Sequence, residues 1–251
     1  MDSRIRTRAP FAPVLDLPPP FHLVTLREVG DAFAHARHVA AAEGAGTLVW
    51  VGRFDLVEFA VVLEPDEPLR AARRVFYAGL AALADALAVH APPEKPIEFA
   101  WPDAVRVDGG LVGGARLAWP DGAREDQPAP WLVFGAMIRT VAMTDADPGL
   151  RPLAAALEEE GFDGLEAGRL VESFARHLMV YVDAWQAGGF GEVAQAYLSR
   201  LPAEAGTERS IDGVGDLLVR RTGKAAVKKH RLLPALASPS WFDAATGGPR
   251  G

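Results

Sequence analysis

The stretch from Ile97 to Gly114 constrains the fold more than any other part of the chain. Two short apolar runs flank Trp101-Pro102-Asp103, and Asp108-Gly109-Gly110 leads into a third run that carries Gly113 and Gly114. Pro102 removes a backbone donor and biases Trp101 away from helical dihedrals. Asp-Gly-Gly is hairpin-turn chemistry, because glycine takes positive φ without steric cost. The stretch therefore reads as two or three short strands joined by tight corners. Glycines inside the third strand either weaken its ladder or mark a place where a ligand or another backbone comes close.

The flanking sequence fills in the rest. Residues 9–20 hold five prolines and are expected to form an extended arm. Val29, Phe33, Ala36 and Ala40 recur at helical spacing, so residues 28–42 are expected to form a helix ended by Gly44-Ala45-Gly46. Strands are expected at 47–51 and 56–63. A helix over 69–89 carries Leu69, Phe76, Leu80, Leu83 and Leu87 on one stripe, interrupted by Arg73. Further strands are expected at 112–119 and 131–141, with a loop at 144–149 and a short helix or turn at 153–159. Helices follow at 165–187 and 192–201. Residues 210–221 read as a hairpin around Asp212-Gly213. Strand runs grouped between helices indicate an α+β fold with a mixed or antiparallel sheet covered by helices, followed by a small β-rich C-terminal module. The expected divisions are an arm at 1–22, a main domain at 23–206 and the module at 207–251.

Composition narrows the chemistry. A net charge of −7 argues against a general nucleic-acid surface. The basic cluster Arg220, Arg221, Lys224, Lys228, Lys229 and Arg231 reads as a solvated edge. There is no cysteine, which removes disulfides, thiolate metal sites and any cysteine nucleophile. No apolar run approaches the roughly 20 residues of a membrane helix, and residues 1–8 are charged without a signal core. The expectation is a cytoplasmic protein without membrane contact. His35 and His38 stand at a chelating spacing but have no evident third ligand, so no metal is expected. Ser173 and His177 lack an Asp to complete a triad.

The order of motifs resembles the biotin/lipoate protein ligase family. Ala100-Trp101-Pro102-Asp103-Ala104 is similar to the family's Lys-Trp-Pro-Asn-Asp. Gly110-Leu111-Val112-Gly113-Gly114-Ala115 is similar to its Lys-Leu-Ala-Gly-Ile-Leu, and Gly135-Ala136-Met137-Ile138-Arg139 to its Gly-Ile-Gly-Ile-Asn. The span Ile211–Leu218 is similar to the first hairpin of the ligases' small SH3-like domain. The resemblance implies a ligase-like fold and a pocket for an acyl-adenylate.

The departures fall on the chemistry. Where the family carries two lysines that hold the carboxylate and phosphate of the adenylate, this chain has Ala100 and Gly110. The family's arginine- and glycine-rich loop is reduced to Val51–Asp55, leaving Arg53. Lys95 stands roughly 16 Å from Ala100 along an extended chain, beyond a side-chain reach of about 6 Å. The resemblance marks Arg53, Trp101, Asp103, Gly113, Gly114, Arg116, Gly135 and Arg139 as ligand-binding candidates; no catalytic residue is assigned. Arg116 and Arg139 would offer bidentate forks to a carboxylate or phosphate if they point inward; strand alternation decides whether Arg116 instead faces solvent. Trp101 fits a pocket wall or core packing, and Asp103 a ligand acceptor or a turn.

Three functions compete. One is a protein that binds a small carboxylic acid or acyl-type ligand, with adenylation impaired or absent. Another is an active, non-standard biotin, lipoate or acyl ligase or transferase. The third is a structural or partner-binding module. ATP and biotin or lipoate follow only if the family reaction is retained, with a biotinyl or lipoyl carrier domain as the implied partner.

Overall fold

The computed structural model describes residues 15–143 and 153–250. The expected loop at 144–149 and most of the arm lie outside them. Strands β1 (His22–Leu26), β2 (Thr47–Gly52), β3 (Leu56–Leu63), β4 (Ile97–Ala100), β5 (Ala104–Val107), β6 (Gly110–Ala118) and β7 (Leu132–Arg139) form one sheet. Its order is β1-β2-β3-β7-β6-β5-β4. Only β1 and β2 pair in parallel; the other neighbours are antiparallel. The fold is thus α+β with a mixed sheet, as the grouping of strands implies.

Strand alternation gives the sheet two unlike faces. Leu132, Phe134, Ala136 and Ile138 of β7 enter the main core, under helices α3 (Val75–Ala88), α4 (Ala167–Gly188) and α5 (Gly191–Leu198). Helix α3 is built of alanine and leucine and is buried almost all round, the pattern of a helix enclosed between a sheet and other helices. Gly79 lets it lie against β7: a Cβ there would stand 2.3 Å from the Phe134 ring. Phe134 in turn stacks on Phe174 of α4, 5.7 Å between centroids. The opposite face holds Val133, Gly135, Met137 and Arg139 of β7. Helix α1 (Ala32–Glu43) covers part of it with Ala32, Ala36 and Ala40 against Val49, Val51, Ala60, Val62 and Val133. Asp31 caps α1, accepting from the Ala34 amide at 2.8 Å.

The expected helix at 69–89 is two helices, α2 (Leu69–Ala72) and α3, parted at Arg73 and Arg74. Arg73 is buried, pairs with Glu125 and lies 5.8 Å from the Trp119 ring centre, so a charge on an apolar stripe is accommodated by partners remote in sequence. Residues 153–159 begin not as a helix but as an extended segment. Leu111 donates to the Leu153 carbonyl at 2.9 Å and accepts from the Ala155 amide at 3.0 Å, pairing Ala154 with the start of β6 before the chain turns.

The C-terminal module is a three-stranded antiparallel sheet of β8 (Thr207–Ile211), β9 (Leu217–Arg221) and β10 (Val227–His230), followed by α6 (Leu232–Leu236). The Tyr77 hydroxyl donates to the Gly215 carbonyl at 2.6 Å and accepts from the Trp101 indole at 3.3 Å, joining α3, the β4–β5 corner and the module. Beyond α6, two short strands, β11 (Phe242–Asp243) and β12 (Gly248–Pro249), make a hairpin that belongs to neither larger sheet.

Candidate functional site

The α1 face of the sheet gathers most of the candidate residues. Gly114 and Arg116 of β6 and Gly135 and Arg139 of β7 share it by alternation, and Arg116 is paired in register with Gly135. Asp103 closes the β4–β5 corner beside them, through the Ala115 amide donating to the Asp103 carbonyl at 2.9 Å. Trp101 does not join this group. The Trp101–Pro102 peptide is cis, and the indole lies edge-on to His230, 5.6 Å between centroids. It lines a separate cleft of about 720 Å³ with Arg221, Lys224, Lys228 and His230 of the module. The basic cluster of the sequence is therefore partly a cleft wall. Arg53, in the β2–β3 turn, is held by Asp55 in a bidentate pair at 3.0 and 2.7 Å, which lowers the Asp55 pKa and raises its own.

The protein's own C-terminal segment occupies this face. The Ser240 amide and hydroxyl donate to the two Asp103 carboxylate oxygens at 2.9 and 2.6 Å. Trp241 is 1% exposed, lies among Leu56, Ala104, Leu111 and Met137, and donates from Nε1 to the Ala115 carbonyl at 3.1 Å. A Cβ on Gly114 would stand 2.4 Å from Trp241 Cδ1 and 2.2 Å from the Asp103 carbonyl oxygen. Arg116 lies between two rings, 4.5 Å from Phe33 of α1 and 4.6 Å from Phe242, with Asp31 at 3.8 Å. Arg139 Nη2 donates to the Pro249 and Arg250 carbonyls at 2.5 and 3.0 Å.

The glycines thus serve approach by the protein itself. At Gly113 an added Cβ would meet the Met137 carbonyl oxygen at 2.0 Å, and at Gly135 the Phe33 ring at 2.5 Å. Both arginines are half-buried, and burial lowers the Arg116 pKa. Burial likewise raises the Asp103 carboxyl above its ordinary value, against the lowering effect of the Ser240 bonds.

Two features escape sequence reasoning. Glu58 is 3% exposed on the same face and accepts from the Ala32 amide at 2.8 Å, at the start of α1; burial raises its pKa. A lone carboxylate among the apolar residues of β3 is a signal that the sequence could have flagged. The other is the segment Leu153–Leu157. At Gly110, the position similar to the second family lysine, a Cβ would stand 2.6 Å from the Ala155 Cβ. At the first, Ala100 packs against the cluster around Trp241. Lys95 reaches neither place; it pairs with Asp108 at 2.7 Å and Glu160 at 2.8 Å. Among the described residues no group of three or more His, Asp or Glu is placed to hold a metal, and no helix is long and apolar enough to cross a membrane.

A seven-stranded mixed sheet with helices on both faces and a small β module is the architecture of biotin protein ligases. The chain spans 84% of its length and 99% of the other in the match to the ligase of Aquifex aeolicus, at 15% identity and a TM-score of 0.62. The Leishmania major ligase matches at 17% identity and 0.54, over 85% and 99% of the two chains. A biotin protein ligase-like protein of unknown function from Silicibacter sp. TM1040 is 25% identical, with a TM-score of 0.74 over 86% of this chain and 96% of that one. No curated protein matches the sequence. The family model of the biotin/lipoate A/B protein ligases matches residues 17–199, and the chain belongs to that family.

Proposed function

We propose that this protein binds a small carboxylic acid or acyl-type ligand on the α1 face of its sheet, and that standard adenylate formation is impaired or absent. One observation supports both parts: cationic charge is missing at positions 100 and 110, while Arg116 and Arg139 stand half-buried on a single face of the sheet. Adenylation joins a carboxylate to the α-phosphate of ATP and expels pyrophosphate, so preorganised cations must meet the charge that develops. An arginine fork suits a carboxylate's paired oxygens. Arg139 already donates from Nη2 to two backbone carbonyl oxygens, those of Pro249 and Arg250.

The Aquifex aeolicus ligase has been solved with biotin and with biotin and ATP. Biotin, lipoate and octanoate are accordingly the acids to test, with a biotinyl or lipoyl carrier domain as the macromolecular partner. The expected result is saturable binding of at least one acid, weakened tenfold or more in Arg139→Ala, without acid-dependent pyrophosphate release from ATP. Absence of binding by every acid overturns the ligand assignment. Acid-dependent pyrophosphate release that Arg139→Ala abolishes overturns the impaired-reaction assignment and establishes an active, non-standard ligase.

A further inference from the structure

We propose that the segment Ser240–Arg250 is a detachable occupant of the α1 face, so that an acid ligand binds only in competition with it. The proposal rests on the acid-binding reading above and assigns that site its regulation.

The contacts of the segment are those of a ligand. Trp241 presents a flat ring over Gly114 with one N–H donor aimed at the Ala115 carbonyl. At the other end, the Pro249 and Arg250 carbonyl oxygens both accept from Arg139 Nη2. An acid with an apolar body and a carboxylate end would meet the same groups. With the segment withdrawn, Leu56, Ala104, Leu111 and Met137 would line the site, and Asp103 and Arg116 would each lose a partner.

The attachment is of a kind that can open as a unit. Strands β11 and β12 pair only with each other and extend neither larger sheet. Their internal closure is complete without the body: Arg250 donates its amide to the Trp241 carbonyl at 2.8 Å and Gly247 to Asp243 at 2.9 Å. The bonds to the body involve side chains: those of Asp103, Ser240, Trp241 and Arg139. Exposed Ala237 and Ser238 connect the hairpin to α6. No strand ladder must break for the hairpin to swing away, so opening is local rather than global.

Competition has a quantitative signature. When the competent state is a minor one, the apparent dissociation constant exceeds the intrinsic value by the inverse of that state's population. Ending the chain at Ala237 removes the competitor. The full chain and the 1–237 chain are titrated calorimetrically with biotin, lipoate and octanoate, and amide hydrogen exchange is followed in the full chain with and without the acid that binds. The double substitution Ser240→Ala, Trp241→Ala, which loosens the hairpin in an intact chain, serves if the shortened chain does not fold.

The expected result is at least tenfold tighter binding by the shortened or loosened chain. In the full chain, amides of 242–250 exchange faster than those of β6 and β7, and faster still with the acid. Equal affinity of the full and shortened chains overturns the proposal while leaving acid binding intact. Exchange of 242–250 at the rate of β6 and β7 overturns it as well, because the hairpin is then part of the core. Binding by neither chain removes the acid-binding reading and the competition together.

Discussion

Returning a lysine to position 110 is expected to destabilise the protein and to leave ligase activity unrestored. The Cβ that any side chain brings to Gly110 lies 2.6 Å from the Ala155 Cβ. Carbon pairs prefer about 3.5–4.0 Å, so the segment must move by roughly 1 Å. Ala155 has no flexible end to yield. Its backbone is held by the bond from its amide to the Leu111 carbonyl, and the segment is fixed further by Leu111 to Leu153 and Leu157 to Arg139. Overpacking of this kind costs about 1–3 kcal/mol. The lysine stem beyond Cβ leads to a half-exposed position and adds little. Ala155→Gly removes the opposing methyl and costs about 0.5–1 kcal/mol alone through backbone entropy. Combining it with Gly110→Lys should therefore recover about 1 kcal/mol or more beyond additivity, within the range of contacting pairs. Urea unfolding of the four chains in the cycle measures this, with pyrophosphate release assayed in parallel. An unchanged midpoint in Gly110→Lys, or strict additivity with Ala155→Gly, refutes the claim that the position is closed.

Three other perturbations have defined outcomes. Gly135→Ala brings a methyl to 2.5 Å from the Phe33 ring; it should lose about 1–3 kcal/mol, and Phe33→Ala in the same chain should recover part of it, read by urea midpoints. Tyr77→Phe leaves the Gly215 carbonyl and the Trp101 indole without their partner, a loss of about 1–3 kcal/mol; limited proteolysis should then cut first in 207–231, and an unchanged pattern and midpoint count against the link. Burial raises the Glu58 pKa above its ordinary 4.5, so the folded state holds the proton more tightly than the unfolded chain, and this contribution to stability falls as pH rises from about 4.5. The stability of Glu58→Gln relative to the wild type should accordingly increase between acid and neutral pH, and a flat difference in midpoint across that range would falsify the assignment.

Much of the sheet was legible because its strands are apolar runs bounded by turn chemistry. β2, β3 and β7 stand within a residue or two of their expected limits. What failed depends on partners distant in sequence. Arg73 breaks a helix that periodicity alone would continue, because Glu125 and Trp119 receive its charge. Ala154 pairs with Leu111 ahead of the expected turn, because the start of β6 offers hydrogen bonds there. At the candidate site, alternation could place Gly114, Arg116, Gly135 and Arg139 on a common face. It could not show what fills that face, since Ser240 meets Asp103 across 137 positions. The aromatic pair Trp241-Phe242, set among glycine, proline and serine with no periodicity, carried no sign of its destination.

The stacking of Arg116 between Phe33 and Phe242 makes a single guanidinium the common abutment of helix α1 and the C-terminal hairpin. Lifting either ring hydrates one side of the cation and weakens its hold on the other. Release of the hairpin, as proposed, would thereby be felt at α1, whose first amide rests on buried Glu58. With hairpin release the two covers of the sheet would be coupled, and the reciprocity of linked equilibria would apply: a change that loosens α1, such as Phe33→Ala, would also favour hairpin release, by the same free energy with which hairpin release loosens α1.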